Sequence, residues 1–259
     1  MFRVVLERLK QGYRTIPYPR QEPVLPDRFR GLPVIDQARC REGCKVCVEA
    51  CPTNAIVLGQ AGPSLDLGRC LFCAECMDAC PTAAIRHTTD YRLATRQRDD
   101  LVLEGQTLKL ADSLEEKSRR LFGRSLKLRQ VSAGGCNACE ADLNVLSTVV
   151  FDLGRFGIQF VASPRHADGI VVTGAVSENM RSALLDTYAA IPAPKLVIAV
   201  GACAISGGPF IDNLEVHNGC TSFLPVDLYI PGCPPHPITI LDGLLRLLGR
   251  LEDRGPVDR

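Results

Sequence analysis

The residues of this chain with the most distinctive chemistry are its cysteines, of which there are 13 among 259 residues. Eight lie between residues 40 and 80, in two runs that read CREGCKVCVEACP and CLFCAECMDACP. The second run has the spacing C-x2-C-x2-C-x3-C-P, which is used to hold [4Fe-4S] clusters through thiolates. Three sulfurs within one short loop can reach three corners of a cubane, and the fourth lies about one helical turn further on. This run therefore predicts iron–sulfur ligands at Cys70, Cys73, Cys76 and Cys80.

The first run has one additional residue between its first two cysteines, which we interpret as a slightly longer loop. Its cysteines are Cys40, Cys44, Cys47 and Cys51. In two-cluster ferredoxins the fourth cysteine of a run binds the cluster of the other run. The crossed arrangement predicts that Cys80 completes the set of Cys40, Cys44 and Cys47, and that Cys51 completes the set of Cys70, Cys73 and Cys76. The repeated hexapeptides CPTNAI and CPTAAI, each with a short helix and a turn into a strand, indicate a pseudo-symmetric α+β module.

Two alternatives to iron–sulfur ligation stay open for these cysteines. Paired C-x2-C motifs also build tetrahedral zinc sites, but zinc ribbons take two ligands from each knuckle and do not require four cysteines and a proline on each side. The second alternative is a disulfide framework, and it requires an oxidising compartment.

The composition excludes several classes of protein. With 46% hydrophobic residues the chain can bury a core, and 30 basic against 29 acidic side chains leave a net charge of +1. This balance gives no general attraction to nucleic acid. Every apolar stretch is interrupted before the roughly 18 residues of a membrane span, and the N-terminus lacks the apolar core of a signal peptide. We therefore expect a cytosolic protein whose cysteines stay reduced.

The second half alternates short β-branched segments with longer amphipathic ones, which predicts an α/β domain with a mostly parallel sheet. Strands are predicted at LKLRQVSA, IQFVAS, GIVVTG, KLVIAV and DLYI. Helices are predicted near ADLNVLSTVV, SENMRSALLDTYAAI and ITILDGLLRLLGRLE.

Four cysteines of the second half follow predicted strands directly, and the carboxyl edge of an open α/β sheet is where ligands bind. They are Cys136, Cys139, Cys203 and Cys233. The pattern predicts a third four-thiolate site, with glycines that allow close approach of backbone and cluster at Gly134, Gly135, Gly201 and Gly232. The alternative is that Cys203 and Cys233 are ordinary buried thiols. Cys220, in the polar segment HNGCTSF, is predicted to be a free thiol.

Four motifs of the second half occur in the order GGCNACEADL, SPRHADGIVVTGAV, GACAISGGPF and PVDLYIPGCPPHP. From about residue 114 to 245 the chain resembles the small subunit of group 4 [NiFe] hydrogenases and the cluster-carrying 20 kDa subunit of respiratory complex I. The resemblance implies a flavodoxin-like α/β domain. Hydrogenases separate the first two ligands as C-x2-C, whereas the complex I branch has adjacent cysteines, so Cys136 and Cys139 favour the hydrogenase branch.

The first half resembles the dicluster ferredoxin-like subunit of formate hydrogenlyase, which is akin to the 23 kDa subunit of complex I. The N-terminal helix, the segments YPR and FRGLP, both cysteine runs and a tail containing YRLAT follow that layout. The chain thus resembles a fusion of two adjacent subunits. We expect an amphipathic helix and extended arm at 1–30, a dicluster domain at 31–92, a charged connector at 93–125 and a hydrogenase small subunit-like domain at 126–259.

These resemblances imply an iron–sulfur electron-transfer subunit with three [4Fe-4S] clusters in a group 4 [NiFe] hydrogenase complex, of the formate hydrogenlyase or energy-converting type. The expected partners are the catalytic large subunit, membrane-embedded subunits and an electron-donor or acceptor protein, on the cytoplasmic face of the inner membrane. No cysteine pair remains to hold nickel, so hydrogen chemistry belongs to the partner.

Two different functions stay open beside this one. One is a complex I-like quinone oxidoreductase module that lacks nickel and has a 49 kDa-like partner. The other is a non-catalytic iron–sulfur sensor, although neither a helix-turn-helix motif nor a basic stripe supports it.

Several further side chains near the predicted sites have two interpretations. Glu140 and Asp142 either assist proton movement or cap the helix that follows. Arg165 and His236 are expected near the third site, where they tune its potential. The histidines are interpreted as structural and not as ligands: His166, His217 and His236.

The N-terminal segment MFRVVLERLKQG places apolar side chains on one helical face, at Phe2, Val5, Leu6 and Leu9. Such a helix suits docking to a membrane-embedded partner or to the membrane interface. A plain packed helix is the alternative.

Overall fold

The computed structural model describes residues 2–59, 62–104, 108–123 and 125–251. Its first half forms two small antiparallel sheets. The elements along the chain are α1 (Phe2–Gln11), β1 (Pro33–Ile35), α2 (Val46–Glu49), β2 (Ile56–Gly59), β3 (Gly62–Asp66), α3 (Glu75–Ala79), β4 (Ile85–His87) and β5 (Val102–Leu103). Strand β1 pairs with β4, and β3 lies between β2 and β5.

The two cysteine runs occupy equivalent places in this module. The strand before the first run pairs with the strand after the second, and the strand before the second run pairs with the strand after the first. Asn54 and Ala83, at the same position of the two hexapeptide repeats, both have a left-handed backbone, with φ of 51° and 50°. The predicted pseudo-symmetric α+β module is confirmed.

The described residues of the segment 93–125, which was predicted as a charged connector, contact both halves of the molecule. Strand β5 extends the sheet of the first half, while Thr95 forms an antiparallel bridge with Tyr229 of the second. Later in the segment, the amide of Leu114 donates a hydrogen bond to the carbonyl oxygen of Leu247. The helix α4 (Glu116–Phe122) ends this segment and buries Phe122. The described part of this segment thus belongs to the fold, and it contributes to the two buried apolar cores of the molecule, with Leu103 in one and Phe122 in the other.

The second half is a five-stranded parallel sheet with helices on its faces. Its elements are β6 (Leu126–Ser132), α5 (Ala138–Val145), β7 (Ile158–Phe160), β8 (Gly169–Thr173), α6 (Glu178–Ala190), β9 (Leu196–Val200), α7 (Ala202–Ser206), β10 (Leu228–Ile230) and α8 (Pro237–Leu247). The strand order β10-β9-β8-β6-β7 is the flavodoxin-like order counted from β6. Strands β8 and β9 are buried throughout, as GIVVT and LVIAV lead one to expect of central parallel strands. The predicted flavodoxin-like α/β domain is confirmed.

Helix α8 is buried along its whole length. The N-terminal arm contacts it, where the Tyr18 hydroxyl donates to Asp242 Oδ1 over 2.8 Å. Arg155 holds the same arm in place through the carbonyl oxygens of Ile16 and Tyr18. Within α8, Arg246 Nε donates to the other carboxylate oxygen of Asp242, so the buried acid has partners on both sides.

Helix α1 buries none of its residues against the rest of the chain. Phe2 is 81% exposed and Leu9 is 75% exposed. In the part of the chain that the structure describes, no helix has the length and apolar character needed to cross a bilayer.

Candidate cluster-binding sites

The four predicted ligands of the second half meet at the carboxyl edge of the parallel sheet. Cys136 and Cys139 lie where the chain leaves β6 and enters α5, Cys203 lies in α7 directly after β9, and Cys233 follows β10. Burial raises the pKa of Cys203 to about 12, with further contributions from Cys233 and Cys136. Burial is also the main cause that raises the pKa of Cys139, and the neighbouring Cys203 is the second. A thiolate raises the pKa of another thiol only when the two are near each other. The shifts therefore indicate that the four sulfurs lie near one another at this edge.

Two glycines leave room for these sulfurs. A Cβ on Gly201 would lie 2.6 Å from Cys139 Sγ, and a Cβ on Gly208 would lie 2.8 Å from Cys203 Sγ. Both glycines have positive φ, of +90° and +55°. Sequence reasoning missed Gly208, although the pair of glycines in CAISGG was the available signal.

The other three glycines predicted to admit a cluster serve a different purpose. A Cβ on Gly134 would meet Ser177, one on Gly135 would meet Gly174, and one on Gly232 would meet Pro235. In each case the space is taken by protein atoms and not by a ligand sulfur. Among the four glycines only Gly201 has a cysteine sulfur as its nearest neighbour, and the other three allow segments of the sheet edge to approach one another.

The set of Cys51, Cys70, Cys73 and Cys76 lines one common cavity in the first half. Burial is the main cause that raises the pKa of Cys70 to about 12. The hydrogen bond from Phe72 N acts to lower this pKa, whereas the other three thiols of the set act to raise it. Cys51 belongs to the first run and the other three to the second. The structure thus brings together the residues that the crossed arrangement predicts for this site.

The remaining set is Cys40, Cys44, Cys47 and Cys80. Burial raises the pKa of Cys47, and Cys40 and Cys44 add to this rise. Burial acts in the same direction on Cys80, but hydrogen bonds from its own turn outweigh it and lower the pKa of this thiol. The contacts described for Cys80 are with that turn, so its membership of the set rests on the sequence repeat.

The two hexapeptide repeats present their cysteine sulfurs to backbone amides in the same way. Ala55 N donates to Cys51 Sγ over 3.2 Å, and Ala84 N donates to Cys80 Sγ over 3.3 Å. Hydrogen bonds to a sulfur favour its charged form, which is the form that binds iron. This donor chemistry fits [4Fe-4S] clusters.

Across residues 2–59, 62–104, 108–123 and 125–251, no three His, Cys, Asp or Glu side chains form a group that could hold one metal ion.

Two C-x2-C segments from different halves begin a helix in the same way. Ala74, after Cys73, has φ 73° and ψ 1°, and Asn137, after Cys136, has φ 71° and ψ 1°. The left-handed residue turns the chain so that the first cysteine precedes the helix and the second lies within its first turn. The same local solution therefore serves both the dicluster module and the sheet edge.

The three sets adjoin one another in series. The pKa of Cys76 is raised mainly by burial and then by Cys51 and Cys73 of its own set. Cys47, which belongs to the first set, makes a smaller contribution in the same direction. The pKa of Cys233 is raised first by burial, then by Cys136 of its own set, and finally by Cys73 of the middle set. Cys73 and Cys233 belong to different halves of the chain, and Cys233 lines a cavity at the junction together with Phe72, the residue before Cys73.

A cavity of about 390 Å³ lies at this junction, beside Cys233, Phe72 and His236. At its margin, Arg30 Nη1 lies 3.1 Å from the carbonyl oxygen of Phe72 and 2.9 Å from that of Cys73. Sequence reasoning did not identify Arg30 as part of a site. A guanidinium at this position places a positive charge directly on the loop that carries Cys70 and Cys73.

Glu140 and Asp142 differ in their surroundings. Glu140 is buried beside Cys139, and the Thr173 hydroxyl donates to its Oε1 over 2.7 Å. Asp142 lines the junction cavity, and burial raises its pKa. Both acids lie within α5, and the residue at its N-cap is Asn137, whose side chain makes no capping hydrogen bond. Neither carboxylate is therefore the N-cap of this helix.

The histidines have the following surroundings. His236 caps α8 by accepting a hydrogen bond from Ile238 N at Nδ1, and its ring lies edge-on to Phe29. His217 pairs with Glu178 and packs against Phe223. His166 lies with Arg165 on an exposed turn between β7 and β8.

Cys220 lies within the core of the molecule and is fully buried. Burial raises its pKa to about 12, which keeps the thiol protonated at neutral pH. No other thiol is among the groups that shift its pKa, in contrast to Cys203 and Cys139.

Comparison with known families identifies two matched segments. Residues 136–247 match the family described as NADH ubiquinone oxidoreductase, 20 Kd subunit, and residues 39–84 match the 4Fe-4S dicluster domain. All twelve predicted ligands fall within these two segments.

Three curated relatives are similar to the chain. Formate hydrogenlyase subunit 7 of Escherichia coli is 47% identical over 56% of this chain and 58% of its own length. An NADH-quinone oxidoreductase subunit of Clostridium beijerinckii is 46% identical over 44% of this chain and 68% of its own length. A protein of Pyrococcus furiosus named as a probable membrane-bound hydrogenase subunit is 38% identical over 51% of this chain and 79% of its own length. The chain thus spans little more than half of the first of these relatives.

Proposed function

The chain belongs to the family of the 20 kDa subunit of NADH ubiquinone oxidoreductase, and from this premise we propose that it relays electrons through three [4Fe-4S] clusters to or from a catalytic partner subunit. When bound, each cluster supplies a centre that accepts and releases single electrons. The chain supplies the twelve thiolate ligands and sets the order of the sites.

The observation that carries this proposal is the serial adjacency of the three cysteine sets. Cys47 and Cys76 join the first set to the second, and Cys73 and Cys233 join the second to the third. Electron transfer between centres falls steeply with distance, so a relay needs neighbouring sites. The set of Cys51, Cys70, Cys73 and Cys76 is the middle site of this relay.

The third set is the one that faces a partner. Cys136 and Cys233 are exposed in the isolated chain. The loop after α7 also exposes apolar side chains, including Leu214, which is 100% exposed, and Phe210. We propose that a catalytic large subunit covers this edge, and that it is the large subunit of a group 4 [NiFe] hydrogenase. The 47% identity to formate hydrogenlyase subunit 7 and the Cys136 to Cys139 spacing support that choice.

Helix α1 supports a location at a membrane-embedded subunit. Its residues are not buried against the rest of the described chain, and a second exposed apolar patch lies beside the arm that follows the helix. Thr15 Oγ1 donates to the carbonyl oxygen of Val149, and Ile16 N donates to that of Val150, which places the exposed Val149 and Val150 beside the arm. We propose attachment to membrane subunits on the cytoplasmic face of the inner membrane.

The test is to isolate the native complex anaerobically and to measure its metals and its activity. We expect about twelve irons per chain, one nickel per chain in the partner, and hydrogen evolution or uptake. Colourless material that contains zinc in place of iron would refute the relay. A chain that purifies without partners would favour a sensor over an electron-transfer subunit.

A complex I-like quinone oxidoreductase is the second candidate, because the chain is 46% identical to an NADH-quinone oxidoreductase subunit. The same preparation separates the two functions. Iron without nickel, together with quinone reduction, would assign the chain to the quinone branch and leave the three-cluster relay intact.

A further inference from the structure

A short contact joins the helix that carries Cys203 to the loop that carries Cys70. Ser206, the last residue of α7, lies three positions after Cys203, and its hydroxyl is 2.7 Å from the carbonyl oxygen of Gly68. Gly68 lies two positions before Cys70. Ser206 is buried, so its hydroxyl requires a partner within the protein. It also lies 3.1 Å from the carbonyl oxygen of Ala202 in its own helix, but the contact across the junction is the shorter one.

Gly68 is packed so tightly that α7 rests on its backbone. A Cβ at this position would lie 2.8 Å from Ile205 Cγ2 and 2.9 Å from Arg98 Cζ. Since Gly68 does not have a positive φ, its glycine is required by the space and not by the backbone conformation. Because residue 68 has no side chain, α7 of the second half can lie directly against the backbone of the first half at this point.

The loop side of this contact is held rigidly. Asp66 Oδ1 accepts a hydrogen bond from Gly68 N over 2.8 Å, and Arg98 binds both carboxylate oxygens of Asp66, at 2.9 and 2.6 Å. The carbonyl oxygen of Asp66 accepts a hydrogen bond from Cys70 N. Asp66 therefore holds both neighbours in place: its carboxylate, paired with Arg98, binds the amide of Gly68, and its carbonyl oxygen binds the amide of Cys70.

We propose that Ser206 and Gly68 form a clamp that sets the separation between the cluster site of Cys51, Cys70, Cys73 and Cys76 and the site of Cys136, Cys139, Cys203 and Cys233. The clamp lies a few residues from a ligand on each side, so a change there moves one site relative to the other without removing a ligand. Ser206 and Gly68 are positioning residues, and this inference rests on the proposed relay.

The test compares Gly68→Ala and Ser206→Ala with matched controls in the same full-length complex. Gly59→Ala adds a methyl where the nearest non-neighbouring atom is 3.5 Å away, and Ser64→Ala removes an exposed hydroxyl. The readout is the magnetic interaction between the two reduced clusters in electron paramagnetic resonance spectra, which falls with the cube of their separation. Iron content is measured on the same samples.

We expect full iron content in all four variants and a weakened magnetic interaction in Gly68→Ala and Ser206→Ala alone. Unchanged interaction in both would overturn the clamp. If Gly68→Ala does not assemble, Ser206→Ala decides, because it only removes an oxygen. Loss of the third cluster in Ser206→Ala would also overturn the proposal, since Ser206 would then be needed for assembly and not for spacing. Failure of the relay itself would be evident in the wild-type protein, as the absence of interacting clusters.

Discussion

Gly201 and Cys139 lie so close that any side chain on Gly201 would displace the sulfur, because its Cβ would lie 2.6 Å from Sγ. We expect Gly201→Ala to lose about four of roughly twelve irons while the two sites of the first half remain. Gly12→Ala is the matched control, because Gly12 also has a positive φ, of +63°, but nothing lies within 4 Å of its Cβ position. Equal iron content in the two variants would contradict the role of Gly201. Iron analysis and visible absorption measure the outcome.

Cys203 and Cys220 are both buried, but only Cys203 interacts with other thiols of the third set. Cys203→Ala is expected to remove about four of roughly twelve irons, because a cubane with three protein ligands is lost readily. Cys220→Ala should keep all of them. A loss of iron in Cys220→Ala would show that the ligands of the second half are wrongly assigned. Iron per chain is the measurement in both cases.

Arg30 donates to the carbonyl oxygens of Phe72 and Cys73 and places a positive charge at the middle site. A nearby cation stabilises the reduced cluster, which carries more negative charge than the oxidised one, and therefore raises its reduction potential. Arg30→Gln is expected to lower the potential of this cluster, measured by redox titration with paramagnetic resonance detection. Arg30→Lys keeps the charge and should stay close to wild type. A potential that does not move in Arg30→Gln would refute this electrostatic effect.

Tyr18 connects the N-terminal arm to the buried helix α8 through Asp242. Burial and the Asp242 carboxylate both raise the pKa of Tyr18, so its hydroxyl remains a donor at neutral pH. Tyr18→Phe leaves a buried carboxylate with one donor fewer, and we expect the free energy of unfolding to fall by about 1.5–3 kcal/mol. Tyr13→Phe is the control, since Tyr13 is 86% exposed. Urea unfolding of the full chain measures both, and equal stabilities would contradict the role of this bond.

His87 makes the stability of the first half depend on pH. Burial lowers the pKa of His87, although the contact of its Nδ1 with the carbonyl oxygen of Gly31 acts in the opposite direction. The unfolded chain then binds the proton more readily than the native state, so stability is lost as the pH falls below the ordinary histidine pKa of about 6.5. The contribution of His87 has a slope of at most about 1.4 kcal/mol per pH unit. Urea unfolding between pH 7.5 and 5.5 should show a smaller loss in His87→Gln than in wild type, and identical slopes would exclude this effect.

Local spacing was sufficient to predict the dicluster module. In CPTNAI and CPTAAI the cysteine, the turn and the strand that follows are contiguous, and both repeats give the same amide-to-sulfur bond. The strands GIVVT and LVIAV were likewise recognisable, because a parallel strand that is buried on both faces reads as an apolar run. These features depend on residues a few positions apart.

Other features were beyond sequence reasoning because they depend on contacts between distant segments. Helix α7 has only five residues, too few for a periodic pattern, and it was not predicted. Gly134 and Gly201 look alike in the sequence, yet a Cβ on the first would meet Ser177 and one on the second would meet the sulfur of Cys139. The predicted connector became a packed part of the fold through bonds such as that of Thr95 with Tyr229.

The sequence by itself determined the number of thiolates, their grouping into runs and the strand after which each isolated cysteine stands, since spacing and periodicity are local properties of a chain. Only the tertiary structure decided that Phe72 and Cys233 line one cavity, that Ser206 rests on Gly68 and that the N-terminal arm contacts α8. The reason is physical: the packing of two cores against each other chooses among many possible long-range neighbours, and that choice minimises buried unpaired groups and empty space over the whole molecule.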